Sequence, residues 1–206
     1  MKQDETSARK IGRPLSFDTD AALEMAMLAF WRSGYETTSI ADLTGAMGVT
    51  PPSLYAAFGN KQQLFLAAMR RYAGDPDALE RQFQHAPTAR QAVSQMLRSA
   101  AVLYTGHSTP PGCLLASAAA TGSPEAAEVR AAVAAERQRI HDVIQRRISA
   151  DITAGRLEPG AKPDVLANLV IAVTQGMSVL ARDGASRETL LAVAEAALAG
   201  WPDKAD

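Results

Sequence analysis

The chain has 206 residues, of which 47% are apolar, and its formal net charge is −1. This length allows one or two small domains with a sizeable core, and the near-neutral charge excludes nucleic-acid binding that relies on the charge of the whole molecule. The single cysteine, Cys113, excludes an internal disulfide bond and fits a reducing cytoplasm. The polar start MKQDETSARK predicts no signal peptide. We expect no apolar run to approach the roughly 18 residues that a membrane span needs.

Apolar residues recur at intervals of three and four along almost the whole chain, which predicts an all-α protein. We expect a flexible basic arm over residues 1–16, a first helical domain over 17–74 and a second over 75–206. The polar stretch GDPDALERQFQHAPT is predicted to be a connection between the two domains.

Capping residues and glycines mark four helices in the first domain. Ser39 with Asp42 three residues later resembles a capping box, and Pro51 suits the first turn of the third helix. The predicted starts and stops are, in order, Asp18 and Gly34, Thr38 or Ser39 and Gly48, Thr50 and Gly59, and Asn60, which begins the fourth helix.

Residues 39–58 follow the pattern of a helix-turn-helix motif: a helix, a turn with glycine and a second, short helix. Leu54 and Phe58 are spaced to anchor the second helix on the domain. Thr50, Ser53 and Tyr55 then project from the outer side, where hydroxyl groups can reach phosphates or base edges in a major groove. A short middle helix in an ordinary three-helix bundle is the alternative.

Three stretches of the first domain carry a resemblance: the run with Phe30, Gly34 and Tyr35, the segment TTSIADL, and GVTPPSLYAAFGNK. With them, residues 12–72 closely resemble the DNA-binding segment of the TetR family of bacterial transcriptional regulators, without a gap. In the second domain, GCLL and GMSVLARDGAS resemble a large subgroup of that family. The resemblance implies a homodimer with a three-helix helix-turn-helix head and a C-terminal helical ligand-binding and dimerisation bundle. Its implied partners are palindromic double-stranded operator DNA and a small effector.

The resemblance also assigns DNA contacts. Phosphate contacts fall on Thr38 and Ser39 at the start of the second helix, on Tyr55 of the third helix and on Lys61 at the start of the fourth. A minor-groove contact falls on Arg13 of the arm. The recognition helix spans residues 50–58 and starts at Thr50. Because Pro51 and Pro52 have no backbone N–H, we expect base readout to rest on Ser53 and on apolar contacts from Pro52 or Ala56. Residues 1–74 hold eight basic and seven acidic side chains, so few phosphates are neutralised per subunit and binding needs a dimer.

Two helices expected near 163–183 and 186–200 are apolar on almost all sides and therefore need cover on every face. Pairing with a second copy around a two-fold axis would provide it. The interface residues expected on these helices are Leu169, Val173, Gly176, Leu180, Leu190, Ala194 and Ala197. A larger core within a single chain is the alternative.

Further helices are expected near 88–106, 113–121 and 124–154. With the helix near 163–183, they are expected to enclose a small, largely apolar effector. The candidate lining residues are Met96, Tyr104, His107, Cys113, Gln175 and Met177. Cys113 itself has two interpretations: a small buried hydrophobe, or a thiol that faces the cavity and reacts with electrophiles.

The sequence shows no pattern for catalysis, a cofactor or a metal. The three histidines lack the spacing of metal ligands, Pro110 stands where a nucleophile elbow needs glycine, and no phosphate-binding loop is present. We therefore expect a ligand-responsive DNA-binding repressor rather than an enzyme. A helical small-molecule-binding protein without DNA regulation and, more remotely, an all-α enzyme are the alternatives.

Overall fold

The structure is a computed structural model that describes residues 17–118 and 126–204; Arg13, with its predicted minor-groove contact, lies outside these ranges. Within them the chain is all-α, as predicted, and an isolated bridge between Leu157 and Asp203 is the only extended pairing. The ten helices of the described residues are α1 Thr19–Ser33, α2 Ile40–Met47, α3 Pro51–Phe58, α4 Lys61–Ala73, α5 Ala78–His85, α6 Ala89–Tyr104, α7 Leu114–Ser117, α8 Ala127–Thr153, α9 Pro163–Arg182 and α10 Arg187–Ala199.

The first four helices begin at the predicted caps. Asp18, Ser39, Thr50 and Asn60 each accept a backbone N–H of the first turn through the side chain. Asp42 completes the capping box with Ser39. Local sequence therefore determines where these four helices start, and with them the position of the turn between α2 and α3.

One apolar core holds α1 to α4 together, and Phe30, Leu43, Leu54 and Phe65 are fully buried in it. The rings of Phe30 and Phe65 meet edge to face with centroids 5.2 Å apart. Leu54 is the one buried residue of α3. The outer side of α3 is therefore exposed among the residues that the structure describes.

The polar connection over residues 74–88 contains a helix that the sequence did not predict, α5. Phe83 is buried, and α5 packs against α6 and α8. Arg147 of α8 donates to the carbonyl oxygens of Phe83 at 3.0 Å and Pro87 at 2.8 Å. Tertiary contacts of this kind, which a local pattern does not show, stabilise so short and polar a helix.

The second domain is a bundle in which α9 packs against α8 and α6, and α10 packs against α6 and α9. The helix expected over 113–121 is observed only as α7, and residues 119–125 lie outside the described ranges. α7 packs against α1 and α4 on one side and α9 on the other. It therefore lies between the first domain and the bundle.

By length and composition α9 could cross a membrane, so the expectation that no segment meets this criterion was wrong. A core helix of a water-soluble protein meets the same criterion. One third of its apolar window is buried inside the chain, and Ala167, Val170 and Met177 face the core. The other side of α9 is apolar, and no residue within 17–118 or 126–204 covers it.

Candidate nucleic-acid interface

The exposed side of α3 carries the side chains that sequence reasoning expected to meet DNA. Pro52, Tyr55 and Ala56 are exposed, while Leu54 is buried between them. Tyr55 keeps 47% of its surface accessible. A helix held by one buried residue and presenting its opposite side to solvent has the geometry needed to enter a major groove.

The hydroxyl groups at the start of α3 are bonded to each other. Thr50 Oγ1 and Ser53 Oγ lie 2.9 Å apart, and Thr50 Oγ1 also accepts the backbone N–H of Ser53 at 3.4 Å. Thr50 is exposed and Ser53 half-buried. Each hydroxyl keeps hydrogen-bonding capacity for a further partner, so both are available to a phosphate or a base edge.

The predicted phosphate contact through the side chain of Thr38 was wrong. Only 2% of Thr38 is exposed, and its hydroxyl donates to the carbonyl oxygen of Gly34 at 2.6 Å. That bond satisfies a carbonyl beyond the end of α1, so the side chain stabilises the turn between α1 and α2.

Ser39 is exposed, but its hydroxyl is engaged. Ser39 Oγ donates to Asp42 Oδ2 at 2.7 Å and accepts the Asp42 N–H at 3.1 Å. The side-chain and backbone hydrogen bonds from Ser39 hold the pKa of the Asp42 carboxyl below its ordinary value. A phosphate at Ser39 would therefore approach a carboxylate, and the contact remains a prediction.

Lys61 is the first residue of α4, and its ammonium group is held over the ring of Tyr35. Lys61 Nζ lies 4.6 Å from the ring centroid and donates to the carbonyl oxygen of Glu36 at 3.3 Å. Burial lowers the pKa of Lys61, and the carboxylates of Glu36 and Asp42 act in the opposite direction. Sequence reasoning identified Lys61 but missed Tyr35, although Tyr35 stood in one of the motifs.

The charge of the first domain depends on its arm. Residues 17–74 hold four basic and five acidic side chains, whereas residues 1–16 hold four basic and two acidic ones. Arg71, moreover, is paired with Asp20 at 2.7 Å and Glu24 at 2.5 Å. Neutralisation of phosphates therefore needs the basic residues of the arm in addition to Lys61.

Of the six residues predicted to line an effector cavity, Tyr104 and Cys113 lie together, and both are buried. Tyr72, which sequence reasoning did not include, donates its hydroxyl to Cys113 Sγ at 3.3 Å. Burial, with Cys113 as the next cause, raises the pKa of both tyrosines. The thiol is thus enclosed by two neutral phenol groups, one from α4 and one from α6.

The other four predicted lining residues are not part of this cluster. His107 is exposed in the loop after α6, which contradicts its assignment to an interior site. Met177 has no exposed surface, so it borders no space that a water molecule could enter and is core instead. Met96 and Gln175 are half-buried.

The predicted effector residues line none of three grooves that open on the described part of the chain. One of 860 Å³ lies between α6, the end of α10 and residues 155–156 and 203–204. A second, of 420 Å³, is bordered by Trp31, Tyr72 and Leu103 at the junction of the two domains. The third, of 230 Å³, lies between the end of α4 and α8. Among these, the second comes nearest to the tyrosine–cysteine cluster, because Tyr72 borders both.

Large apolar side chains line the uncovered side of α9: Val165, Leu169, Val179 and Leu180. Gly176 lies on the same side, with nothing within 4 Å of a methyl group placed there. Two residues predicted for the dimer interface do not belong to a surface, because Leu190 and Ala194 are buried against the chain's own core. Val173 and Ala197 are half-buried.

Comparison with known proteins identifies both domains. Residues 22–68 match the model of the N-terminal domain of bacterial regulatory proteins of the tetR family. Residues 89–197 match the model of a tetracyclin repressor-like C-terminal domain.

Similar proteins cover nearly the whole chain. The HTH-type transcriptional repressor ComR of Escherichia coli K12 is 35% identical over 93% of this chain and 92% of its own length. The HTH-type transcriptional repressor BdcR of the same organism is 30% identical over 94% of this chain and 92% of its own length. One similar solved structure is a cysteine mutant of the TetR family transcriptional regulator CifR in complex with a 26-base-pair double-stranded operator DNA. Its sequence is 43% identical, and the match covers 93% of this chain and 100% of the CifR chain, with a TM-score of 0.87.

Proposed function

The chain belongs to the TetR family of bacterial regulatory proteins, and we propose that it is a repressor that binds a palindromic operator as a homodimer and leaves it when a small effector binds. Regulators of this family control transcription and are not enzymes. They are soluble proteins of the cytoplasm, and we assign this chain to the same compartment.

The outer side of α3 is the observation that carries the DNA-binding proposal. It combines an exposed Tyr55, an exposed Pro52 and two hydroxyl groups at its start, and no part of the described chain covers it. Lys61 adds a fixed cation at the N-terminus of α4, where the helix dipole also attracts phosphate. The similarity to a CifR mutant bound to operator DNA supports this function for the motif.

The homodimer is proposed from the uncovered side of α9. A row of large apolar side chains with an open glycine among them is unusual on the surface of a monomer. A two-fold axis through this face would bury the row against its own copy. We propose Leu169, Val173, Gly176, Leu180 and Ala197 as contributors, with Val165 and Val179 added from the structure.

The effector is proposed to be small and largely apolar, and to act near Tyr104, Cys113 and Tyr72. These residues belong to both domains, and the groove between Trp31, Tyr72 and Leu103 gives access to one of them. A ligand there can release DNA only by favouring a head arrangement that does not fit the operator.

An electrophoretic shift with the DNA upstream of the protein's own gene tests the proposal. We expect a specific complex that an unlabelled copy of the same DNA displaces and that unrelated DNA of equal length does not. Tyr55→Phe should weaken this complex without changing the folded state, because it removes one exposed hydroxyl. If neither this region nor the upstream regions of the neighbouring genes gives a specific complex, the chain is a helical binding protein without DNA regulation.

A further inference from the structure

The two motifs of the second domain, GCLL and GMSVLARDGAS, meet at the end of α1. Arg182, near the end of α9, donates from Nη2 to the carbonyl oxygen of Trp31 at 2.6 Å, and the same nitrogen is bonded to Ser117 Oγ. The Trp31 carbonyl is one of the last of α1, where the helix leaves carbonyl groups without partners inside the helix. A guanidinium group from α9 therefore caps α1, at the end where the helix dipole favours a cation.

The side chain of Trp31 binds the GCLL motif. Its indole N–H donates to the carbonyl oxygen of Gly112 at 3.0 Å, and the backbone N–H of Cys113 donates to Ser178 Oγ at 2.8 Å. Trp31 and Ser178 are 2% and 0% exposed. These bonds form a continuous connection from α1 through residues 112–113 to α9, shielded from water, where hydrogen bonds are hardest to replace.

Two glycines allow the backbones to come this close. A methyl group on Gly112, which has φ +79°, would lie 2.8 Å from the carbonyl and hydroxyl oxygens of Ser178. On Gly34, with φ +83°, it would lie 3.0 Å from the carbonyl oxygen of Ser117. The contact is thus built for close approach of the first domain to α7 and α9.

The other side of the same turn of α9 belongs to the uncovered apolar face. Val179 and Leu180 are exposed, while Ser178 and Arg182 bond toward α1 and α7. Ser178 and Val179 are neighbours in the sequence, so a shift of the apolar face relative to a partner subunit also moves the residues that bond toward α1. The hydrogen bonds of Ser178 and Arg182 therefore transmit such a shift to α1.

We propose that Trp31, Gly112, Ser117, Ser178 and Arg182 form a head clamp that sets the orientation of the DNA-binding head relative to the dimer helix. The inference rests on the proposed homodimeric, operator-binding function. Arg182 and Trp31 are positioning residues, which contact no DNA themselves. Tyr72 packs edge to face on Trp31 with ring centroids 4.8 Å apart and bonds to Cys113, so the clamp also adjoins the proposed effector region.

Measuring the affinity of Arg182→Met for two DNAs distinguishes an effect on head orientation from an effect on folding. One DNA is the full palindrome and the other a single half-site, which engages one head and is indifferent to head spacing. Both are measured at low salt, where the phosphate contacts of one head suffice for binding. Arg182→Met keeps the apolar stem of the side chain and removes both bonds. We expect it to bind the palindrome about tenfold more weakly than the wild type, to bind the half-site unchanged, and to remain dimeric.

Arg98→Met is the matched control, because Arg98 forms an exposed pair with Glu195 on another part of the bundle; it should behave as the wild type on both DNAs. Operators with one base pair added or removed between the half-sites extend the test. Arg182→Met should discriminate among spacings less than the wild type does. Equal loss on palindrome and half-site, or no loss on either, would overturn the clamp.

Hydrogen exchange in the absence of DNA keeps the clamp testable even if no operator is bound. Trp31→Phe removes the indole N–H and retains an aromatic ring, and both it and Arg182→Met should speed amide exchange at the end of α1 and around residues 112–117. Exchange there equal to that of the wild type would contradict the clamp. Failure of the wild type to bind any operator would contradict the proposed function instead.

Discussion

Contacts within the chain hold the ammonium group of Lys61 in position before any DNA is bound. Its contacts are the face of Tyr35 and the carbonyl oxygen of Glu36. Tyr35 is fixed in turn by Phe65, with ring centroids 5.3 Å apart. A side chain that is ordered beforehand loses less conformational entropy when it meets a phosphate, so Lys61 should contribute more to DNA affinity than a freely moving lysine.

Lys61→Ala is expected to reduce the magnitude of the salt dependence of operator binding. Each phosphate contact contributes about 0.9 to the slope of log K against log salt concentration, so a dimer with two heads should lose about two. Fluorescence anisotropy at several salt concentrations measures the slope. Arg70→Ala, which removes an exposed charge near the other end of α4, should leave it unchanged. A wild-type slope for Lys61→Ala at equal stability would exclude the contact.

Cys113→Ser separates the two interpretations of the only cysteine. We expect this variant to lose about 1 kcal/mol in the free energy of unfolding, because a more polar group replaces a buried thiol, and to keep its operator affinity. Chemical denaturation and anisotropy measure the two quantities. The wild type should then remain on DNA in the presence of N-ethylmaleimide. Release of the wild type but not of Cys113→Ser by this electrophile would show instead that the thiol senses electrophiles.

At the scale of the elements, the junction of α6 and α8 depends on one buried carboxylate. Asp151 is 1% exposed, accepts the N–H of Ala89 at the start of α6 at 2.6 Å, and accepts Arg156 at 2.7 Å. Arg147 lies 3.3 Å away. The carboxylate thus satisfies the N-terminus of one helix and two arginines at the end of another.

Asp151→Ala should lower the free energy of unfolding by about 3 kcal/mol, because it leaves the buried N–H of Ala89 without an acceptor and the largely buried guanidinium group of Arg147 without its counter-ion. Thermal or urea unfolding measures the loss. Glu195→Ala removes an exposed ion pair with Arg98 and should change stability by less than about 1 kcal/mol. A loss for Asp151→Ala no larger than that of the control would show that the buried network adds little.

The local signals of the sequence were sufficient to predict the helix starts of the first domain, because a capping side chain fixes each of them. They failed for α5, whose polar residues hide a single buried phenylalanine, and for Thr38, whose exposure depends on how α1 ends. They also failed for Leu190 and Ala194. A helix that is apolar on most sides needs cover on every face. Its sequence does not indicate which face packs inside the same chain and which face packs against a second copy.

At the scale of the whole molecule, an apolar dimer interface explains why α9 of a DNA-binding regulator has the length and composition of a membrane-spanning helix. Val165 and Val179 keep 57% and 56% of their surface exposed in the single chain. Burial of apolar surface stabilises an assembly by roughly 25 cal/mol per Å². A second copy would therefore gain from covering this face, and the same contact would set the distance between the two heads.

Leu169→Arg should convert the dimer to a monomer without unfolding it. Leu169 is 45% exposed in the single chain, so the new charge is accommodated there but would be buried without a partner in the dimer. Sedimentation velocity gives the mass, and circular dichroism the helical content. Val102→Arg places the same charge on an equally exposed position of α6 and should leave the dimer intact. Two variants of equal, dimeric mass would contradict this interface.

Native mass spectrometry of the protein with its operator tests the central claim most directly. On a DNA that contains the full palindrome, we predict a complex of two chains and one duplex, which Leu169→Arg should not form at the same concentration. Scrambling one half of the palindrome should abolish the wild-type complex at physiological salt, because each head neutralises few phosphates and neither suffices alone. A complex of one chain per duplex, equally stable on the intact and the half-scrambled site, would contradict a homodimeric operator-binding repressor.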